Sequence, residues 1–422
     1  SDEPGVYMLE GEKIFISSGD NDLFENIVHL VLARLPGAPE GTRGLSIFMV
    51  PKHEFDFESG ELGARNGVYV EKLEEKMGIH GNATCALSFG ARSPCKGWLL
   101  GEPGQGMSIM FGMMNEARLE VGVQGLSGGS SSYHYALTYA KDRIQGVDID
   151  KHGDADATAI AIIEHPDVRR MLMWQKVHVE TMRSMVYDVA LRLDLWHHEA
   201  DKNKRREIKG YVELMTPIVK SYCSDRGFDC AVSAMQVFGG YGFIGEYPVE
   251  QVARDTKIAS IYEGTNGIQA MDLLGRKLTK GQGVLFMNWM AELGTHVAKA
   301  KAVEGLADAA AAIEKAKDVL GASAMHLGGL GMQGDTKGAM IYATPFLNQF
   351  GNVVLGLEAL KQATVASAAL AAGGLSEGEE RFYQGKLVNL DFYVSSVLPE
   401  SIALGKTIRS GDKACMSPAA FR

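Results

Sequence analysis

Short β-branched and aromatic runs fill the first part of the chain: Val6–Leu9, Lys13–Ile16, His29–Leu35, Leu45–Val50, Val68–Leu73, Cys85–Phe89 and Trp98–Leu100. Turn-forming clusters such as Ser18-Gly19-Asp20-Asn21, Pro36-Gly37-Ala38-Pro39 and Gly41-Thr42-Arg43-Gly44 separate them, so the pattern predicts a small β-barrel or sandwich. From Gly106 the period changes. Met107, Met110, Met113, Met114, Leu119 and Val123 recur at helical spacing, which predicts a long helix running to near Arg143. A polar loop is expected from Gly146 to Asp156, then helices from about Glu164 to His198 and from about Ile208 to Phe238. Beyond Arg276 the sequence is richer in alanine and poorer in charge, and helices are expected over 283–299, 302–325, 336–372 and 376–407. Ser376, followed by Glu377, Glu379 and Glu380, suits the start of the last one. The fold class is α+β: a small β-barrel or sandwich domain over 1–100, an α-helical bundle over 101–280 and a further all-helical domain over 281–422.

Composition agrees with a packed globular chain. With 422 residues, 46% of them hydrophobic and 22% charged, there is enough apolar surface for a large core. The 50 glycines come singly or in short clusters, which excludes collagen-like and linker-like chains. A net charge of −10 argues against a nucleic-acid partner. The densest basic run, Lys202, Lys204, Arg205 and Arg206, is flanked by Glu199, Asp201 and Glu207 and reads as a solvated turn between helices. The apolar stretches are broken by charge or glycine, so no membrane span is expected. Cys85, Cys95, Cys223, Cys230 and Cys415 are an odd set without paired short spacing. They suit reduced thiols in a reducing compartment and make no zinc motif.

Two stretches match the dinucleotide fingerprint, Gly240-Tyr241-Gly242-Phe243-Ile244-Gly245 and Gly329-Leu330-Gly331-Met332-Gln333-Gly334. That fingerprint works between a strand and a helix N-terminus, whereas each match here follows a helix. The second reads as a helix C-terminus with a loop. At the first, paired Gly239 and Gly240 let a backbone or a flat ligand approach closely. The histidines show no metal-ligand spacing and no serine-nucleophile elbow is present, so metal is not expected and hydrolase readings lose ground. The segment Ile258 to Gln269 is sharper. Glu263 sits alone between apolar residues and a Gly264-Thr265-Asn266 turn that resumes as helix. Its carboxylate could enter a cleft, where loss of water would raise its pKa and suit it to act as a base toward a weak carbon acid. Equally, it could be a surface glutamate beside a helix start capped by Thr265 or Asn266. The pattern alone leaves both open.

The ordered strings Gln236-Val-Phe-Gly-Gly-Tyr-Gly-Phe, Glu246-Tyr-Pro-Val-Glu, Arg254-Asp-Thr-Lys-Ile and Ile261-Tyr-Glu-Gly-Thr-Asn resemble the C-terminal helical domain of acyl-CoA dehydrogenases. Upstream, Gly11-Glu-Lys-Ile-Phe-Ile-Ser-Ser-Gly resembles the strand of that family's middle β-domain beside the flavin, and Gly101-Glu-Pro-Gly-Gln-Gly-Met its β-to-helix junction. The resemblance covers about residues 6–280. The tail, 281–422, resembles the extra helical domain of a larger-subunit branch that includes 3-methylmercaptopropionyl-CoA dehydrogenases.

By that resemblance the cofactor is FAD, and Glu263 is the base that takes the α-proton of an acyl-CoA while the β-hydrogen leaves as hydride to the flavin N5. Phe15 stands where the family commonly has a tryptophan against the flavin, and Ser17 at a flavin-bonding threonine. Arg143 and Gln145 match the segment that meets the FAD diphosphate and adenosine across a subunit boundary, with Gln236, Gly239 and Gly240 on its adenine side. Thr265 and Asn266 are expected toward the flavin. Asn115 and Arg118 fall at contacts to CoA, Asn115 in place of a more usual aspartate; a solvated helix-surface charge is the other reading of Arg118. Tyr262 and Gly264 flank the base on the substrate side. The partners implied are an acyl-CoA substrate, an electron-transfer flavoprotein and further copies of the chain, as a homodimer or homotetramer. The location implied is the cytoplasm of a bacterium or the mitochondrial matrix of a eukaryote. The resemblance also leads us to expect that the family's first helical domain, which supplies one wall of the acyl pocket, is missing. An acyl-CoA oxidase, which would pass electrons to oxygen, and a flavin-free non-catalytic fragment are the alternatives.

Overall fold

The structure is a computed structural model and describes residues 1–421. It divides into two compact units, Ser1–Glu116 and Ala117–Arg422.

The first unit holds β1 (Val6–Met8), β2 (Gly11–Ser17), β3 (Val28–Arg34), β4 (Leu45–Pro51), β5 (His53–Phe55), β6 (Leu62–Arg65), β7 (Val68–Leu73), β8 (Thr84–Phe89) and β9 (Lys96–Leu100). The expected strands form, together with a β5–β6 hairpin that the apolar pattern did not mark, because Leu62–Arg65 is exposed along its whole length. An antiparallel sheet in the order β1-β9-β4-β3 and another in the order β2-β8-β7 share one core. Leu9, Val31, Phe48 and Val50 meet Val68, Cys85, Leu87 and Phe89 there. Alternation along the strands thus builds a small sandwich, with one face of each sheet inward.

The long helix α1 (Gly106–Asp142) carries the chain from one unit into the other. A strand pair, β10 (Ile144–Val147) and β11 (Ala159–Ala161), then brackets the polar loop expected there. Next come α2 (Pro166–His198) and α3 (Lys202–Phe238). The basic run is not the turn between them but the first turns of α3. Asp201 caps that helix by accepting from the N–H groups of Asn203 and Lys204, both at 2.9 Å, an arrangement worth about 1 kcal/mol. Short helices α4 (Pro248–Lys257) and α5 (Asn266–Asp272) follow.

The remaining helices are α6 (Val284–Lys301), α7 (Ala307–Met332), α8 (Thr336–Ile341), α9 (Ala343–Ala372), α10 (Glu377–Phe392) and α11 (Pro399–Ser410). Two helices expected to be continuous are broken. The ring of Pro345 would clash with the carbonyl four residues back, at Ile341, and the chain breaks at Tyr342. Pro399 likewise ends one helix through a wide turn, Tyr393–Val397, and starts the next. Gly329 and Gly331 lie in the last turn of α7, which ends in a loop as read from the sequence. One core joins α1 to α11 and is filled by Tyr222, Trp289, Phe346, Phe350 and Tyr393. The segments 117–280 and 281–422 therefore share their interior. Among the described residues, α9 is long and apolar enough to cross a membrane by length and composition, against the sequence expectation, and 56% of its most apolar window is buried in this core. Its Glu358 is buried and paired with Lys361 at 2.7 Å.

Candidate active site

After α4 the chain makes one tight turn, Ile258–Ser260, and runs through Ile261–Thr265 before α5 begins. In this break Glu263 adopts φ +53° and Gly264 φ +85°. Left-handed backbone is ordinary for glycine but costs a residue with a side chain on the order of 1–3 kcal/mol, so it persists only where neighbours enforce it. Gln269 Nε2 donates to the carbonyl of Gly264 at 3.2 Å and reaches that of Glu263 at 3.4 Å. Thr265 Oγ1 caps α5, accepting from Ile268 N–H at 3.3 Å. The Tyr262 hydroxyl donates to Gln124 Oε1 on α1. At position 264 the positive φ favours glycine, and a Cβ there would lie 2.7 Å from Gln269 Nε2, the end of a side chain that would have to shift. The break expected from sequence is there, but the inward hydrogen bonds are taken by the carbonyls of the turn. Glu263 itself is exposed in this chain and not sunk in a cleft.

The floor of the turn is charged. Arg118 of α1 is 4% exposed and reaches Asp272 Oδ2 at 3.4 Å, while Arg276 holds Asp272 Oδ1 at 2.6 Å. Arg118 is therefore not a solvated surface charge. Burial lowers its pKa, Asp272 and Glu263 oppose that shift, and Arg276 adds to it. Its Nη2 lies 3.7 Å from the ideal Cβ position at Gly264. Lys220 of α3 is fully buried and donates to Asn266 Oδ1 at 2.9 Å. The Asn266 Nδ2 donates to Asp225 Oδ1 at 2.8 Å, so this side chain is spent inside the protein. Burial also pushes the Asp225 carboxyl above its ordinary range, and the bond from Asn266 opposes it. Asn115 lies half-buried one turn before Arg118 on α1.

A second group of expected residues gathers elsewhere in the same unit. Arg143, Gln145, Gly239 and Gly240 line one cleft of about 450 Å³ with Tyr139, Phe238 and Tyr241. Gln236 lies at the C-terminal end of α3, exposed, with its carbonyl accepting the N–H of Gly239. A Cβ at Gly239 or Gly240 would touch nothing within 4 Å, so the backbone there faces open space. The Tyr139 and Phe238 rings, which line the cleft, stack at 4.1 Å. The Arg143 guanidinium lies 5.5 Å from the Tyr241 ring centroid, a geometry in which aromatic face and cation attract. Gly242 is buried and a Cβ there would come 2.3 Å from the Met235 carbonyl, which explains the third glycine.

In the first unit, Phe15 and Ser17 lie on β2. Phe15 is 69% exposed at φ +59°, in the stretch of β2 where its register with β8 slips between Lys13 and Ile16. Ser17 is exposed and pairs with Thr84. An exposed aromatic held in left-handed backbone at a bulge carries strain that the surrounding strands must enforce. Among the described residues no cluster of His, Cys, Asp and Glu could hold a metal ion.

Sequence reasoning missed Lys220, Asp225, Gln124, Gln269 and Asp272. Lys220 carried a usable signal, as the one charge in the run Ile218-Val219-Lys220-Ser221-Tyr222-Cys223. The others stand in ordinary amphipathic helix.

Residues 104–278 match the family model described as acyl-CoA dehydrogenase, C-terminal domain, and residues 289–418 the one described as acetyl-CoA dehydrogenase C-terminal like. The chain is 38% identical to a butyryl-CoA dehydrogenase of Syntrophomonas wolfei over 98% of its own length and 67% of the relative's. It is 39% identical to a 3-methylmercaptopropionyl-CoA dehydrogenase of Ruegeria pomeroyi over 95% of its own length and 66% of the relative's. An acyl-CoA dehydrogenase structure from Bacillus anthracis, complexed with FAD, shares the fold at a TM-score of 0.73 and 22% identity, over 98% of this chain and 64% of that one. The chain thus spans about two thirds of the length of the relatives it matches.

Proposed function

This chain belongs to the acyl-CoA dehydrogenase family, and on that premise we propose that it oxidises an acyl-CoA thioester to the trans-2-enoyl-CoA with FAD as its cofactor. FAD, when bound, supplies the acceptor, at its N5, for the hydride that leaves the β-carbon. The chain's own residues do the rest. The Glu263 carboxylate takes the α-proton, and its backbone N–H donates to the thioester carbonyl, where negative charge develops as the proton leaves.

The cleft at Arg143 fits the diphosphate and adenosine portion of FAD. An open glycine backbone, a guanidinium and stacked rings are what a flat base and a diphosphate require. Arg143, Gln145, Gln236, Gly239 and Gly240 would hold that portion, for the FAD of a neighbouring subunit in a homodimer or homotetramer. Phe15 and Ser17 would meet the flavin ring. Thr265 serves through the turn it caps. Asn115, Tyr262 and Gly264 lie on the substrate side, and Arg118 acts from beneath the turn, where Asp272 holds it. Electrons then pass to an electron-transfer flavoprotein, in a reducing compartment such as a bacterial cytoplasm.

The observation that carries this reading is Glu263, held at φ +53° by bonds from below while its side chain stays exposed. In the full-length enzyme, Glu263→Gln should lower the rate of anaerobic flavin bleaching by acyl-CoA by at least about 10³-fold and leave bound FAD in place. Bleaching at the parent rate would remove Glu263 from the role of base.

A further inference from the structure

Beneath the Glu263 turn sits a charged group that the proposed reaction does not use. Lys220 is 0% exposed in the middle of α3, and its Nζ reaches the Asn266 Oδ1 at 2.9 Å. The other end of that amide donates to Asp225 Oδ1 at 2.8 Å and to the Ser221 carbonyl at 3.2 Å. An ammonium only donates and a carboxylate only accepts, so the pair fixes the amide in a single orientation. Asn266 is the first residue of α5 and stands three positions after Glu263. A helix start tied in this way holds the turn before it.

Stability does not call for such a lysine, since apolar replacements of buried charges are often neutral or stabilising. We propose that Lys220 is a positioning residue, which through the Asn266 amide clamps the start of α5 onto α3 and keeps the Glu263 carboxylate in its reactive placement. The inference rests on the reading of Glu263 as the base.

The charges that face Lys220 are Asp225 on its own helix, Arg118 on α1 and Glu263 on the turn. Burial, with help from Arg118, pushes the Lys220 ammonium down to about 8 against the pull of Asp225 and Glu263. Between that pH and the ordinary lysine range, the unfolded chain binds a proton that the folded chain has released. The contribution of Lys220 to stability therefore rises with pH across this window. A clamp that needs the ammonium makes the reaction slow across the same window. The two readouts move in opposite directions, which a purely structural lysine would not cause.

The test uses the FAD-loaded full-length enzyme and anaerobic bleaching by acyl-CoA. Lys220→Gln should lower the limiting bleaching rate by about 10- to 100-fold, the scale of a small misplacement of a reacting group. FAD content and half-saturation by acyl-CoA should stay within about 3-fold. Lys220→Arg, charged throughout, should restore most of the rate and lack the decline above about pH 8 that the parent should show. A parent-like rate in Lys220→Gln, or an unchanged alkaline decline in Lys220→Arg, overturns the proposal. If Lys220→Gln does not fold, Asn266→Ser shortens the bridge and carries the same expectation. Glu263→Gln, measured alongside, separates the two readings. Its failure to abolish bleaching sinks the base and the clamp together, whereas its success beside a parent-like Lys220→Gln sinks the clamp alone.

Discussion

Glu263 and Arg118 belong to the same turn, and burial separates what each can do. Glu263 is exposed, so Glu263→Gln should leave stability within about 0.5 kcal/mol of the parent. Arg118 is 4% exposed and pairs with Asp272, itself 8% exposed. Arg118→Met removes one partner of a buried carboxylate that retains Arg276, and should cost about 3 kcal/mol, the lower end for a broken buried pair. Urea unfolding of the two variants would read the contrast, and an Arg118→Met midpoint equal to the parent's would mean that Asp272 needs no second cation. Sequence located both residues by resemblance and missed how each is held. Nothing in Ile261-Tyr-Glu-Gly says that Glu263 takes a positive φ, because the residue type argues against it and the enforcing bonds come from Gln269. Nor does a single arginine between Ala117 and Leu119 reveal its burial, which depends on Asp272, 154 positions away.

The turn that ends α3 makes a similar point for an element. Gly239, Gly240 and Gly242 look alike in sequence, and a literal fingerprint runs through them, yet each has its own physical requirement. Gly239 has φ +62°, Gly240 faces open space at an ordinary φ, and Gly242 is pressed against the Met235 carbonyl. Gly242→Ala should therefore cost about 1–3 kcal/mol by overpacking, while Gly240→Ala should leave the thermal midpoint almost unmoved. If the cleft takes the adenosine portion of FAD, Gly240→Ala should still weaken FAD retention, measured by flavin content after gel filtration. Unchanged retention would take the glycine floor out of the FAD site. The order and type of the elements were readable because helical and strand periods differ so clearly on either side of Gly106. Helix ends were less so. Pro345 and Pro399 break two long apolar runs whose hydrophobic pattern continues across the break, and a pattern of apolar positions does not register a missing N–H.

For the whole molecule the proposal that Arg143 reaches the FAD of a neighbouring subunit makes a prediction of its own. The cleft at Arg143 and the turn at Glu263 are separate groups of residues within one unit, and they share none of their lining side chains. If the first group holds the FAD of a neighbouring subunit, each active site takes Glu263 from one chain and Arg143 from another. A closed two-fold dimer then has two such sites, each drawing one contribution from each chain. Arg143→Ala alone should lose FAD and Glu263→Gln alone should lose bleaching, so each homodimer is inactive. In a mixed dimer, one site collects both defects and the other collects neither. Equal co-expression makes about half of the dimers mixed, each with one sound site of two, so about a quarter of parental specific activity should return. Sites built within single chains would give no recovery, because every chain carries one defect. Expression of the two full-length variants separately and together decides between the arrangements, and tandem-tag isolation of the mixed species should raise the recovery from about a quarter to about half. Recovery requires a subunit boundary through the FAD site, which no property of the isolated chain's core would supply.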